Sequence, residues 1–530
     1  MRLRMALKDT DRRTFLKGMG LSAAGAAFAI PALAACNATN AGSTTQSSGA
    51  ASTASGKAVR GGSANLAIQD TPVNMDPAQA QLYASMQVYQ NIFSELLEVD
   101  ANYNFHGNLA THWSQEDDKT WMFEMVDNAV FQNGEPVTAN DVSYTIQRTK
   151  TQALGAYLEF FDKVEVLDPH KFRIHLAKPF GPMEATLAYL VDITNEKAIK
   201  SQNPTTSPVG CGPYKMKEWV HNSHITLERW DKYFKQDLPY LDEVTFTSVG
   251  DDTVRLTGLQ TGQYDWIQAV PAQQLDSLMS SSTIDHTSAL PALPYILFMN
   301  TSKPPFHDQR VRQAVGWAID RAEIVKLAFF GTAVEATEPI TKQNPFYSGV
   351  NPYEGGPDLD KANALMRQAG VSNVDVEFLS QQEVPVYTSI GQILQSQLAK
   401  IGINLHITKL SAAEWFSQFS KLKYGLGVTY ESTSLDPAQS YYLDAYSKSP
   451  FNWTGYKSAA VDAALQKFTF QSDQKARRQY YPTLVNTIAE AAPYLFLANQ
   501  NQQYWTTPNL HGAEPLPSLE IRVEDMWMAK

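Results

Sequence analysis

PYILFMN (Pro294–Asn300) and PYLFLANQ (Pro493–Gln500) are the two stretches on which the fold turns. Each opens on a proline, is apolar through its middle, and reads as a buried strand. Between them lies the helix-rich part of a 530-residue chain. If these strands carry the chain out of one body and back, the molecule has two lobes and two crossings. The residues alone also permit two ordinary strands of one sheet.

Ahead of the first crossing the sequence is strand-like. SANLAIQ (Ser63–Gln69) alternates and breaks at DTPVNMDP. In TWMFEMVDNAVFQNGEPV, Trp121, Phe123 and Met125 recur at period two before a turn at Asn133-Gly134. VEVLDPHKFRIHLAKP gives a second hairpin, turned at Asp168-Pro169. TANDVSYTIQRT starts a helix with Thr138 as N-cap. Beyond the crossing, HDQRVRQAVGWAIDRAEIVKLAF places Val311, Val315, Ala318, Ile319 and Ala322 on one face of a single helix capped by Asp308. DLDKANALMRQAG closes on Gly370, and IGQILQSQLAKIGINLHITKL passes from helix through Gly402 to strand. Such steps suit sheets with helices packed on them, an α/β fold.

The N-terminus has a different logic. Arg12 and Arg13 precede a stretch, Gly18–Ala35, without a charged residue. Its apolar residues are mostly Ala, which suits an export signal better than a permanent span. DRRTFLK resembles a twin-arginine motif and LAAC (Leu33–Cys36) a lipobox, so residues 1–35 are expected to be removed and Cys36 lipidated. Residues 36–60, rich in Ser, Thr, Ala and Gly, read as a flexible tether. The expected setting is extracytoplasmic, at the cell membrane and facing the periplasm or exterior.

The whole chain carries a formal charge of −11; residues 1–35 hold six basic and two acidic residues, so the mature protein is more negative still, about −15. Such a balance argues against nucleic acid and anionic membrane surfaces as partners. One hydrophobic core stops growing near about 250–300 residues, so at least two lobes are expected. Cys36 and Cys211 are the only cysteines, and lipidation of the first leaves no intrachain disulfide.

No P-loop, dinucleotide-binding, nucleophile-elbow or zinc-protease motif is present. His170 and His175 would face opposite sides of a strand. His221 and His224 lie near a turn and read as solvated, as do Glu116, Asp117 and Asp118; Cys211 reads as a small loop or core residue. No metal, cofactor or catalytic residue is expected.

With these pieces in place, the body resembles family 5 of the extracytoplasmic solute-binding proteins, the dipeptide, oligopeptide and nickel receptors of ATP-binding-cassette importers. NMDPAQA with VYQNIFSELLEVD resembles the family's opening segment. Asn108–Arg148 is similar to its signature region, through Leu109-Ala110, Phe131, Asn133-Gly134, Thr138-Ala139 and Asp141-Val142. SPVGCGPYKMKEW resembles the Gly-x-Gly-Pro-Tyr loop, LQTGQYDW the Gly-x-x-Asp segment, and FMNTSKPPFHDQRVRQAVGWAIDR the Asp-x-Arg-Val-Arg pattern. The resemblance runs from about residue 62 to residue 500.

It implies a two-lobed periplasmic-binding-protein-like α/β fold whose lobes are joined by two crossing hinge strands. The expected division is 61–297 plus 498–530 for the first lobe and 298–497 for the second. It also implies a monomeric receptor, not an enzyme, that closes on its ligand and docks on membrane permease subunits. In peptide-binding members an Asp in a Trp-x-x-Asp-x-x-Asp/Glu-Pro segment holds the ligand's α-amino group. Here the segment is YESTSLDP: Tyr430 falls at the Trp and Thr433 at the amine-binding Asp. A hydroxyl supplies no counter-charge for a buried ammonium. Either Glu431 provides it, or the ligand is an oligosaccharide or another solute without that amine. Peptide is the first expectation; an exported hydrolase and a receptor serving a sensor are the rivals from other classes. Tyr430, Thr433, Asn452 and Trp453 are expected to wall the cleft from the second lobe, and Gln69 and Asp70 from the first.

Overall fold

A computed structural model describes residues 57–79, 82–289, 293–431 and 435–529. The export signal 1–35, Cys36, most of the tether 36–60 and Thr433 lie outside the described residues.

Two large sheets organise the body. The first has seven strands in the order Asp285–Ala289, Gln502–Thr506, Trp266–Gln268, Ser63–Ile68, Glu243–Ser248, His224–Arg229 and Tyr214–Val220. The second has six: Ala333–Glu335, Tyr494–Gln500, Pro294–Met299, Leu426–Tyr430, Val374–Gln381 and Ile403–Leu410. The chain leaves the first sheet after Ala289 and enters the second at Pro294. It returns through Asn501, between Gln500 and Gln502. Pro294–Met299 and Tyr494–Gln500 pair antiparallel, as do Asp285–Ala289 and Gln502–Thr506. The strands on either side of the two passages are thus paired in both sheets, the Gln500 N–H donates to Leu293 O at 3.1 Å, and the fold is two-lobed α/β. All six residues of Pro294–Met299 are buried, because helices cover both faces of that sheet. The divisions read from the sequence at 297/298 and 497/498 fall within these two strands.

A third sheet, of four antiparallel strands, flanks the first lobe: Ala110–Asp117, Thr120–Met125, Lys171–Leu176 and Phe161–Asp168. The alternation at Phe172, Ile174 and Leu176 points these residues into a core where Phe123 stacks on Phe172 at 5.3 Å. Ala139–Lys150 is helical, and the Thr138 backbone N–H donates to the Asp141 carboxylate at 2.9 Å, closing its first turn.

The stretch from His307 differs from the single helix expected. It forms Gln309–Ala318 and Arg321–Ala328, broken at Ile319-Asp320. Asp320 accepts from the Glu323 N–H at 3.0 Å and caps a second helix, while its own N–H donates to the Gln397 side chain at 3.1 Å. Apolar periodicity runs through the break because both helices bury the same side; the competing cap decides the backbone.

The Gly-Cys-Gly-Pro-Tyr loop is explained by close approach. A Cβ on Gly210 would stand 2.1 Å from the Ile92 carbonyl oxygen, and one on Gly212 2.4 Å from that of Phe93. Gln132 locks the contact: its side chain donates to Ile92 O at 2.9 Å and Tyr214 O at 2.7 Å, and accepts from the Gly210 N–H at 2.9 Å. Cys211 between them is buried, and burial pushes its thiol up, so it is packing rather than a nucleophile. Gly210→Ala is expected to cost about 1–3 kcal/mol or more, because backbone must move to admit the methyl group. A urea midpoint equal to that of the parent protein would contradict this account.

Candidate ligand cleft

The strand Leu426–Tyr430 runs parallel to Val374–Gln381, and Ser63–Ile68 runs parallel to both Glu243–Ser248 and Trp266–Gln268. Ligands of open α/β sheets lie beyond the carboxyl ends of such strands. Tyr430 ends the first, and Gln69-Asp70 follow the second.

The two ends are close enough to interact electrostatically. Burial raises the Tyr430 phenol pKa, and the next cause is the charge of Asp70 on the opposite lobe. Asp70 keeps solvent contact, yet desolvation holds its carboxyl above the usual carboxylate range against the lowering effect of Arg255. Arg255 is fully buried and donates to Gln268 O at 3.0 Å and Val249 O at 2.6 Å, besides pairing with Asp252. It is thus a fixed charge behind the first lobe's wall.

Tyrosines and amides fill in the rest. Tyr430 packs on Tyr295 with ring centroids 5.7 Å apart and on Tyr387 at 6.3 Å. Its N–H donates to the Tyr387 hydroxyl at 3.1 Å, and the Tyr295 hydroxyl donates to the Gln500 side chain at 2.9 Å. From the first lobe, Tyr83 donates to Leu519 O at 2.8 Å, receives Gln502 at 3.2 Å, and feels the Tyr430 phenol. Gln87 reaches Gln268 at 3.4 Å. This lining offers flat apolar surface with hydroxyl and amide groups along its edges, which suits a polar organic solute.

Of the residues expected from sequence, Tyr430 and Asp70 come together, with Gln69 exposed beside Asp70. Asn452 and Trp453 do not join them. Asn452 donates to Tyr446 O at 3.3 Å and Tyr456 O at 2.8 Å, and accepts from Thr454 at 2.7 Å, so its polar atoms hold its own loop together. Trp453 packs among Phe298, Phe416, Phe419 and Phe451. Its neighbour Thr454 accepts from Thr301, beyond the end of the strand where Met299 pairs with Leu426. Tyr430 is four residues further along that ladder, about 14 Å at about 3.4 Å per residue. The aromatic content of FNWTGY marks a satellite of the second lobe's core rather than this wall. Asp436, the last acid of YESTSLDP, is spent on a buried ion pair with Arg477 at 2.5 and 2.7 Å.

Several residues escaped sequence reasoning: Tyr83, Gln87, Gln268, Tyr295, Tyr387 and Gln500. Gln500 and Tyr295 stand on the crossing strands themselves, so proximity to the hinge was the available signal. The others sit on separate elements with no shared motif. Among the described residues no group of three His, Cys, Asp or Glu side chains could hold a metal ion, and no helix is long and apolar enough to cross a membrane.

With this geometry in view, residues 104–453 match the family model described as bacterial extracellular solute-binding proteins, family 5 middle. The chain belongs to that family of solute receptors and is not an enzyme. It is 24% identical over 490 residues to the glutathione-binding protein GsiB of Pectobacterium atrosepticum, a match covering 87% of this chain and 93% of the relative. The fold is shared with the DppA binding protein of Helicobacter pylori in complex with the peptide STSA (TM-score 0.77, 22% identity, 89% of this chain and 99% of that one). It is also shared with Bacillus subtilis AppA holding a nonapeptide (0.77, 23%, 89% and 100%) and Campylobacter jejuni NikZ holding Ni(L-His) (0.78, 21%, 88% and 99%).

Proposed function

We propose that this receptor closes on a peptide or peptide-like ligand and delivers it to the permease of an ATP-binding-cassette importer. The observation that carries this reading is that Asp70 and Tyr430, beyond the carboxyl ends of strands in two different sheets, are near enough for the aspartate's charge to act on the phenol. A ligand touching both favours the closed arrangement, and release follows when permease contacts favour the open one. The first lobe takes residues up to Ala289 and from Gln502 on; the second takes the segment from Pro294 to Gln500. Relatives whose names and complexes involve peptides and glutathione support the ligand class. Export with removal of residues 1–35, lipidation at Cys36 and a tether over 36–60 belong to the same proposal, since a tether keeps a receptor near its permease at high local concentration.

Native purification followed by mass spectrometry of the retained molecule tests the ligand class: peptides retained support it, and oligosaccharides retained overturn it. Tyr430→Ala is expected to remove ligand-induced thermal stabilisation while leaving the unliganded melting temperature within about 2 °C, because a half-exposed ring contributes little to the core. An undiminished ligand shift would take Tyr430 out of the site.

A further inference from the structure

Away from the crossing strands the two lobes touch each other directly. In the first lobe, Phe180-Gly181-Pro182 follow the third sheet's strand Lys171–Leu176. The Gly181 N–H donates to Thr469 O at 2.9 Å, and Gly181 O accepts from the Gln474 side chain at 2.8 Å. Thr469 and Gln474 belong to the second lobe, at the end of the helix Ala459–Thr469 and the start of the helix Gln474–Ala491. Between those helices, the Ser472 hydroxyl donates at 2.9 Å to the carboxylate of Asp118, a first-lobe residue. Aromatic rings close around these bonds. Phe160 of the first lobe packs edge-on against Phe470 at 4.8 Å and Tyr442 at 5.8 Å, and the Lys178 ammonium lies 4.7 Å from the centre of the Phe470 ring. Leu435, shortly after Tyr430, is buried in the first lobe's apolar cluster with Leu154, Tyr189 and Leu190. Its carbonyl stays with its own lobe, accepting from the Asn344 side chain at 3.1 Å.

Gly181 shows that the fit is between the lobes and not within one of them. Its φ lies outside the left-handed region, so backbone freedom does not call for a glycine here. A Cβ at this position would stand 2.3 Å from Arg477 Nε, 2.5 Å from Gln471 O and 2.6 Å from Arg477 Cδ. These three nearest atoms all belong to the second lobe. Arg477 cannot swing aside, because it is fully buried and paired with Asp436. Parting the lobes would break three hydrogen bonds and bring Leu435 and Phe160, both buried, toward water. Contacts that exist only in the closed arrangement favour it before any ligand does.

We propose that the seam at Gly181, with Phe160, Phe470 and Leu435, is a latch that holds the lobes together by direct contact. The unliganded receptor is then predominantly closed, and ligand affinity is set in part by residues the ligand does not touch. The inference rests on the reading of this protein as a receptor that closes about a hinge, and not on the class of its ligand. An apparent Kd is the intrinsic value divided by the fraction of receptor in the competent form. A side chain at position 181 lowers that fraction while leaving Tyr430, Asp70 and the rest of the cleft wall unchanged. The two tasks are thereby separated: the cleft selects the solute, and the seam sets how firmly any solute is held and how hard permease contacts must work to reopen the receptor.

The test uses the full mature receptor, freed of retained ligand by unfolding and refolding, and its Gly181→Ala and Gly181→Val variants. Small-angle X-ray scattering reads the separation of the lobes, and circular dichroism checks that each variant is folded. The expected result is a closed profile for the unliganded parent, a larger radius of gyration for Gly181→Val, and an intermediate one for Gly181→Ala. With a random tripeptide pool as probe, the Kd of the tightest tripeptide found should weaken about tenfold or more in Gly181→Val. An unliganded parent as open as Gly181→Val, or the same Kd in both, overturns the latch and leaves a hinge-closing receptor standing. If Gly181→Val does not fold, the parent's own profile decides: a closed profile without ligand supports the latch, and an open one that contracts only when the pool is added overturns it. Scattering that separates the variants from the parent, with no response of any of them to the pool, keeps the latch and overturns the peptide reading.

Discussion

Asp436→Ala is expected to lower stability by about 3–5 kcal/mol, because it strands a guanidinium in the core. Arg477 is fully buried and Asp436 is 4% exposed. Asp436 receives two guanidinium bonds, at 2.5 and 2.7 Å, a geometry lysine could not reproduce. The rest of the guanidinium lies over Phe346 at 4.8 Å and Phe468 at 4.4 Å, so no water replaces the lost partner. The same aspartate accepts from the Ala438 N–H at 2.9 Å as cap of the helix Pro437–Ala445, which adds about 1 kcal/mol to the loss. Urea unfolding followed by tryptophan fluorescence reads the change. Replacing both partners, with Asp436→Leu and Arg477→Met, should recover most of it, since paired removal leaves no orphaned charge. Equal loss in the single and double variants would show that the ion pair is not the cause.

The second large effect is a dependence of stability on pH set within the first lobe. Glu95, Asp192 and Glu520 are all buried there and act on one another. Desolvation, followed by the neighbouring negative charges, raises Glu95 well above the usual carboxylate range; burial also raises Asp192, to about 7, and Glu520. The Glu95 and Asp192 side chains hydrogen-bond to one another, which two carboxyls do only while one of them keeps its proton. The sign follows from which state binds the proton more tightly. In the folded protein Asp192 holds its proton up to about pH 7, whereas in the unfolded chain it releases it near 3.8. Folding therefore takes up protons in this interval, and the contribution present below about pH 4 is lost as pH rises to about 7. A change of that size corresponds to roughly 4 kcal/mol. The urea midpoint should thus fall between pH 5 and pH 8. Asp192→Asn, which keeps the shape and removes the titration, should flatten the slope and be the more stable form at pH 8. A parent protein more stable at pH 8 than at pH 5, with the same slope in the variant, would refute the assignment.

These effects also show where local reading stopped. Asp436 was legible as the end of a family segment, but its partner Arg477 lies on a helix 41 residues away, and nothing local to LDP announces an ion pair. Conversely, Thr138, Asp308 and Gly370 were legible as helix ends because capping is decided within four residues of chain. The helix break at Asp320 lay between: its cap is local, but its backbone is held by Gln397 from another helix.

By itself the sequence determined several strands, several helix ends and the family resemblance, because period, capping and turn chemistry act over a few residues and leave their pattern in order along the chain. Only the tertiary structure decided which side chains share the cleft. It brought Asp70 near Tyr430, and it sent Trp453 and Asn452 to another part of the second lobe. Residues on opposite lobes meet through the packing of whole sheets, and no stretch of chain encodes that meeting locally. The aromatic and amide character of a wall can be read from composition, but its membership depends on how the two sheets are set in the folded chain.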